Sequence, residues 1–337
     1  MMDDVVIQVK DLHVYFYTNQ RCNKVLNGVS FDIKKGKTLC VVGESGCGKS
    51  VTANTILQLL PELSRIEKGS ITYQKNEEAI RIDELPRNGK LMRKLRGEDI
   101  AIIFQDPMTA LNPVYTVGHQ IREMLYEHIP KLNKKQAFER SIKSLSEMGI
   151  SAPEQRDREY PHQFSGGMRQ RAMIAMAMSC APKVLIADEP TTALDVTISA
   201  QIFDLINELK TEHETAIMLI THNMGVVAEM ADEVAVMYMG NIVEYGKVED
   251  VLMHARHPYT RALLKSIPVL GKGKNQVLEP VRGMTPDPFN RPKGCQFCPR
   301  CDFASELCEN AMPPETFVDK YHYVRCFHHE EVLKNAK

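Results

Sequence analysis

The chain has 337 residues, 43% of them hydrophobic and 25% charged, with a formal net charge of −1. That length allows about two domains, and near-neutrality gives no bulk field that would draw the chain onto nucleic acid or anionic lipid. The longest apolar-looking stretch, 172–187, is interrupted by Ser179, Pro182 and Lys183, too often for a bilayer span, and the opening Met1-Met2-Asp3-Asp4 lacks the basic and apolar regions of a signal peptide; both features predict a cytoplasmic chain.

Residues 5–9 and 29–33 alternate as half-buried strands do, with Asn27-Gly28 as a turn signal before the second. The apolar run 39–42 predicts a third strand. It leads into Gly43-Glu44-Ser45-Gly46-Cys47-Gly48-Lys49-Ser50, and residues 50–60, through Val51, read as a helix closed by Pro61. Strand, glycine loop and helix form the context in which the pattern G-x-x-x-x-G-K-[ST] binds nucleotide phosphates. The glycines let the backbone curl so that several N–H groups converge on one anion, and the helix adds the positive end of its dipole. Lys49 is the candidate for the β/γ-phosphates and the Ser50 hydroxyl for Mg²⁺. Cys47 occupies a variable position of this pattern and reads first as a tolerated small residue, its place beside the helix-terminal N–H groups offering a lowered pKa as the alternative.

The polar stretch 62–98 shows no long periodicity, with 71–73 and 79–82 as short strand candidates. Residues 100–104 form an apolar strand ending at Gln105. From about residue 108 to 164 the pattern turns helical, punctuated by Pro113, Pro130, Pro153 and Pro161, and reads as an inserted helical subdomain. A Met- and Ala-rich helix at 169–180 precedes the continuous apolar strand 184–187, the kind that a parallel sheet covered on both faces requires. A helix at 196–210, a strand at 216–220, a short helix at 225–230, a hairpin-like pair 234–239 and 241–244 around Gly240, and a helix at 248–254 follow. Beyond Ile267 the chain turns rich in Pro, Gly and Cys, which predicts a separate C-terminal module. The expected fold class is α/β: a P-loop nucleotide-binding core with a mostly parallel sheet and N-terminal antiparallel strands. It carries a helical subdomain (about 108–165), with domains at 1–267 and 268–337.

The strand 184–187 ends in Asp188-Glu189. Asp188 is placed to hold Mg²⁺, directly or through water, and Glu189 to accept a proton from an attacking water. Five of the nine cysteines, Cys295, Cys298, Cys301, Cys308 and Cys326, crowd the C-terminal stretch. Disulfides are out of place in the cytoplasm, whereas four thiolates suit Zn²⁺ or an iron–sulfur cluster. Cys298 supplies a C-x2-C pair with Cys295 or Cys301, and His328 and His329 beside Cys326 keep zinc open.

Between the phosphate loop and Asp188 lies Phe164-Ser165-Gly166-Gly167-Met168-Arg169-Gln170. It resembles the signature motif of ABC-transporter ATPases, in which a serine and two glycines open a helix toward an anion. Phe164 and Met168 depart from the common Leu-Ser-Gly-Gly-Gln form. Gln105 looks like the family's Q-loop glutamine, which contacts Mg²⁺ and water. Ala193-Leu194-Asp195 looks like its D-loop, and His222 like its histidine to the γ-phosphate. Phe16 sits where the family stacks an aromatic ring on adenine, with Tyr15 and Tyr17 as alternatives. The ordered set covers about residues 5 to 255. The resemblance implies that two such subunits pair head to tail, each ATP lying between one phosphate loop and the partner's signature helix.

Within that family, residues 104–113, the Phe-Ser-Gly-Gly-Met-Arg-Gln form itself, and His257-Pro258-Tyr259-Thr260-Arg261-Ala262-Leu263-Leu264 with the following Ile267-Pro268 are similar to the dipeptide and oligopeptide importers. Nickel and glutathione importers share these features, and a soluble ABC ATPase unconnected with transport is the remaining alternative. The resemblance implies ATP hydrolysis, ATP and Mg²⁺ as cofactors, and a 4Fe–4S cluster on Cys295, Cys301, Cys308 and Cys326. It also implies a second, related but non-identical ATPase subunit, two transmembrane permeases, an indirect extracytoplasmic peptide-binding protein, no nucleic acid, and a peripheral place on the cytoplasmic face of the cell membrane.

Overall fold

Strand Thr38–Val42, which feeds the phosphate loop, is buried at all five positions. That is why its sequence is a run of apolar residues rather than an alternation. It pairs in parallel with Glu233–Tyr238, Leu39 opposite Glu233 and Val42 opposite Val236. The chain returns through Met239 and Gly240, both at positive φ (44° and 76°), the conformation a tight hairpin demands. Asn241–Lys247 then runs antiparallel. The short strands Tyr323–Val324 and Thr316–Phe317 extend the same sheet beyond it.

The computed structural model describes residues 4–18, 21–76, 78–192, 194–266 and 279–334. Ala193, the pair Ile267-Pro268 and the boundary expected at 267/268 fall outside them. The described residues form two compact units interleaved along the chain. One holds those of Ile7–Asp32, Thr38–Asp83 and Ile220–Lys337, the other those of Met1–Val6, Ile33–Lys37 and Glu84–Leu219. Residues 279–334 thus share a unit with the phosphate loop.

In the first unit a second sheet has the order Cys22–Lys34, Val5–Tyr17, Ser64–Lys75, Glu78–Arg81, its last two pairings antiparallel. These strands are longer than the sequence suggests. Register shifts around His13 let Val5–Tyr17 continue past the point where alternation breaks. The loop helix spans Lys49–Ile56, shorter than the expected run to residue 60. Gln58 takes a left-handed φ of 49°, which turns the chain out of the helix before Pro61.

In the second unit Ile100–Ile103 pairs in parallel with Val184–Asp188, Ile103 opposite Ala187, and Ala216–Thr221 lies next in order. Its helical part holds Val117–His128, Lys134–Glu147 and Gly166–Met178. Thr116 and Asn133 cap the first two, the latter in a reciprocal capping box with Gln136. Helix Lys90–Glu98 escaped the sequence reading because its face is narrow, only Met92, Leu95 and Gly97 being buried, and because Arg96 and Gly97 leave helical geometry. Among the described residues no helix is long and apolar enough to cross a membrane.

The helical part is pinned by one buried carboxylate. Asp157 accepts from Arg122 Nη1 at 2.5 and 2.7 Å and from Ser141 Oγ at 2.7 Å. The close approach depends on Gly118, where a Cβ would stand 1.8 Å from Asp157 Oδ1. Replacing Asp157 by Ala strands the Arg122 charge and costs roughly 3 kcal/mol. Urea titration of the variant checks this, and a midpoint equal to the parent's would remove the pair from the account of stability.

Candidate phosphate-binding site

Three glycines shape the loop after Val42: Gly43 at φ 152°, Gly46 at 79° and Gly48 at 112°. A Cβ on Gly43 would lie 2.1 Å from the Met237 carbonyl oxygen, and one on Gly48 would lie 2.8 Å from Leu26 Cδ2. The loop is therefore pressed onto the neighbouring strand and can only be glycine there. Gly240 N–H donates to the Cys47 carbonyl at 2.8 Å, fastening the hairpin turn to the loop. Lys49 is 5% exposed. Its ammonium donates to the carbonyls of Gly43 at 2.8 Å and Glu44 at 3.1 Å, so the side chain folds back along the loop it belongs to. Ser50 is exposed at the head of the helix, and Thr52 Oγ1 donates to the Gly48 carbonyl at 3.0 Å. Ser45 and Gly46 are exposed on the loop's outer arc, and Val51 is half-buried behind it.

Cys47 is buried in the loop, as a tolerated small residue can be. Its sulfur lies inward, 2.9 Å from where a Gly43 Cβ would be, and only 4% of the residue is exposed. Burial pushes its thiol pKa up, against the smaller lowering by the Lys49 charge. The dipole of a helix end does not offset removal from water at this depth.

Glu44 is held at three points. Its N–H donates to Tyr259 Oη at 2.7 Å, its carbonyl takes Lys49, and its carboxylate forms a two-point pair with Arg300. The Arg300 guanidinium holds the Glu44 carboxyl below the usual carboxylate range. Tyr259, Tyr238 and Phe297 form one buried aromatic cluster behind these contacts, with ring centroids 4.7 to 5.4 Å apart. Sequence reading missed Tyr259, Thr285 and Arg300 as neighbours of the loop. The only hint was an arginine inside a cysteine-rich stretch, and nothing in the sequence points from position 300 to position 44. His222 follows strand Ala216–Thr221 on the exposed start of the next turn.

In the second unit, Gln105 Nε2 donates to Glu189 Oε2 at 3.1 Å, and Thr192 Oγ1 donates to the same oxygen at 3.0 Å. Glu189 has a left-handed φ of 46°, a strain that persists only where surroundings impose it. Asp188 closes its strand at 7% exposure. Gln105, Asp188 and Glu189 thus gather at the carboxyl ends of two adjacent parallel strands. Ser165 caps helix Gly166–Met178, its hydroxyl accepting from Met168 N–H at 3.3 Å. At Gly166 a Cβ would meet nothing nearer than 3.9 Å, whereas at Gly167 it would stand 3.0 Å from Ile198 Cγ2. Asp195 caps helix Val196–His213 by accepting from Ile198 N–H at 2.9 Å. Both side chains thus cap their own helix N-termini.

In the first sheet Tyr15 and Tyr17 already carry cations on their rings, Lys24 Nζ at 5.5 Å and Arg65 Cζ at 5.7 Å from the centroids. Phe16 lies between them in the strand and so faces the opposite side.

The C-terminal thiols lie in one another's field. Burial first, then the neighbouring cysteine charges, push Cys295 up to about 11 and Cys301 and Cys326 up to about 12. Gly294 allows the approach, since a Cβ there would stand 2.3 Å from the Cys308 carbonyl, to which Cys295 N–H donates at 2.8 Å. Cys308 Sγ lies 3.4 Å from Ser305 Oγ, which in turn contacts His328 Nε2 at 2.9 Å. Among the described residues no group of three or more His, Cys, Asp or Glu side chains stands in metal-holding geometry. The donor set fits a thiolate-bound metal in type and closeness, but the ligating arrangement itself is not formed.

A family model described as "ABC transporter" matches residues 26–192, and one described as "Oligopeptide/dipeptide transporter, C-terminal region" matches residues 243–308. The chain is similar to the dipeptide transport ATP-binding protein DppD of Bacillus subtilis (strain 168), 47% identical over 332 residues, covering 98% of this chain and 97% of that protein. It is also similar to the oligopeptide transport ATP-binding protein OppD of the same organism, 46% identical over 321 residues, covering 95% and 88%. Among solved structures, the dimeric post-hydrolysis ATP-binding cassette MJ0796 bound to ADP and Pi aligns with a TM-score of 0.63 at 24% identity, over 72% of this chain and 98% of that one. The cbiO1 protein of Clostridium perfringens, part of the ABC transporter complex cbiONQ, aligns at 0.62 and 27% identity, over 74% and 91%.

The loop geometry separates two glycines. Gly43→Ala drives a methyl group into a strand carbonyl, whereas at Gly46 a Cβ meets nothing within 4 Å and only its positive φ is strained, at a cost of about 1 kcal/mol. Denaturant titrations of the two variants are expected to show the larger loss for Gly43→Ala, and equal losses would refute the steric account.

Proposed function

The chain belongs to the ABC-transporter ATP-binding family and is an ATPase, and from that premise we infer that it is the nucleotide-hydrolysing subunit of an importer for dipeptides or oligopeptides. The observation that carries the importer reading is likeness over nearly the whole chain to dipeptide and oligopeptide transport proteins, continuing into the C-terminal region.

The division of labour follows from the residues. The backbone amides of Gly43 to Ser50 and Val51 cradle the phosphates, and Lys49 leaves its two loop carbonyls to pair with the β/γ-phosphoryl oxygens. Ser50, Gln105 and Asp188 would hold Mg²⁺, which would neutralise phosphate charge. Glu189, oriented by Gln105 and Thr192, polarises the attacking water, and His222 reads the γ-phosphate. Phe16 stacks on adenine, a reading favoured because the rings of Tyr15 and Tyr17 already carry cations of this chain. Ser165, Gly166, Gly167 and Asp195 serve the nucleotide of a second ATPase subunit, a related but non-identical chain. Two permeases supply the transmembrane path, which places this subunit at the cytoplasmic face of the membrane. The cassette is proposed to run over residues 1–267 with its helical subdomain near 108–165, and the peptide-importer extension over 268–337.

Cys295, Cys301, Cys308 and Cys326 are the proposed ligands of a 4Fe–4S cluster, with Zn²⁺ as the alternative. What supports this is that the thiols lie in one another's field, where a bound metal would compensate the negative charge of the thiolates. Bound there, the cluster would cross-link a segment with little apolar content.

Two measurements test the reading. Glu189→Gln is expected to bind Mg–ATP like the parent and lower its turnover by about two orders of magnitude or more; parental turnover would remove Glu189 from its role. Iron and sulfide analysis with visible absorbance of anaerobically purified protein is expected to show a cluster, and a colourless chain holding zinc would assign the thiols to zinc instead.

A further inference from the structure

Glu44 follows Gly43 and stands five residues before Lys49, inside the loop that the ATPase reading assigns to the phosphates. A bare carboxylate at that place repels the anion the loop is built to hold. Arg300 meets it with a two-point pair, Nη1 to Oε2 at 2.6 Å and Nη2 to Oε1 at 2.9 Å. Thr285 Oγ1 adds a third donor at 3.2 Å. The Arg300 side chain is 3% exposed, the Glu44 side chain 29%. Arg300 is itself fixed: its Nε donates to the Arg282 carbonyl at 2.7 Å, and its guanidinium carbon lies 5.8 Å and 5.7 Å from the ring centroids of Tyr238 and Phe297. An arginine so enclosed keeps one direction, and the planar fork matches a carboxylate in a way that a lysine does not.

We propose that Arg300 is a positioning residue of the phosphate loop: it neutralises the Glu44 carboxylate and fixes the loop beside Lys49, so that the C-terminal extension sets how tightly the loop holds nucleotide. The proposal rests on the reading of this loop as the ATP site. Arg300 lies between Cys298 and Cys301, so the segment that orients the clamp is the cysteine-rich one. Glu44 is thereby engaged at every polar group, its N–H by Tyr259, its carbonyl by Lys49 and its carboxylate by Arg300 and Thr285.

The test is calorimetric titration of the full chain with Mg–AMPPNP. Arg300→Met is expected to raise Kd by about tenfold or more, because the unpaired Glu44 charge now opposes the anion. The double variant Glu44→Gln/Arg300→Met, which removes charge and neutraliser together, is expected to return Kd to within about threefold of the parent. A merely structural arginine would not be rescued by Glu44→Gln. Parental affinity in Arg300→Met overturns the proposal, as does a folded double variant that stays about tenfold weak. If Arg300→Met does not fold, the double variant decides on the same criteria, and its own failure to fold would make Arg300 a folding residue and overturn the proposal. Absence of binding by the parent, unchanged by Lys49→Ala, would defeat the ATP-site reading instead.

Discussion

A loop that presents its backbone N–H groups to an anion has to keep them aligned without the help of a regular ladder, and in this chain that alignment comes from contact with a strand. Gly43 lies so close to the Met237 carbonyl that no side chain fits between them, and a Cβ on Gly48 would stand 2.8 Å from the end of the Leu26 side chain. The contact is available because Thr38–Val42 pairs in parallel with Glu233–Tyr238, which delivers Met237 to the loop's underside. The hairpin turn at Met239-Gly240 then fastens to the Cys47 carbonyl. The fully buried strand, the positive-φ glycines and the hairpin turn together hold this loop rigid.

Rigidity alone would leave an electrostatic conflict. The same loop carries Glu44 and Lys49, and burial makes each charge costly unless it is paired. Lys49 satisfies itself on two loop carbonyls, a pairing that a bound anion can replace. Glu44 is paired with an arginine from the far end of the chain. The aromatic cluster of Tyr238, Tyr259 and Phe297 supplies the low-dielectric wall against which that pair sits. The proposed catalytic carboxylate is treated differently: Glu189 is left partly exposed, oriented by Gln105 and Thr192, with strain in its own backbone. One carboxylate is neutralised by an arginine, and the other is left partly exposed with two hydrogen-bond donors on it.

Much of the fold was legible because its signals are local. An unbroken apolar run followed by glycines and Lys-Ser requires only the chemistry of neighbours in the chain, and so does the apolar strand ending at Asp188-Glu189. The N-caps at Ser165 and Asp195 obey the same local logic. Misreadings arose where the local signal was weak or the backbone left its regular conformation. The loop helix stops at Ile56 because Gln58 turns left-handed, and helix Lys90–Glu98 hides behind a polar composition and two non-helical residues. At Cys47 burial raises the thiol pKa, so the lowering that its helix-end position offered as an alternative does not prevail.

The sequence by itself determined the α/β class, the phosphate loop, the acidic strand end and the grouping of cysteines. Each depends on residue types at short fixed spacings, which backbone periodicity converts directly into shared faces and ends. Only the tertiary structure decided that Arg300 meets Glu44 across 256 positions, that Tyr259 holds the loop's N–H, that the cysteine stretch shares a compact unit with the nucleotide loop, and which way the Cys47 thiol points. Those facts follow from strand pairing and close packing between distant segments, and no local pattern of residues encodes which two surfaces will meet.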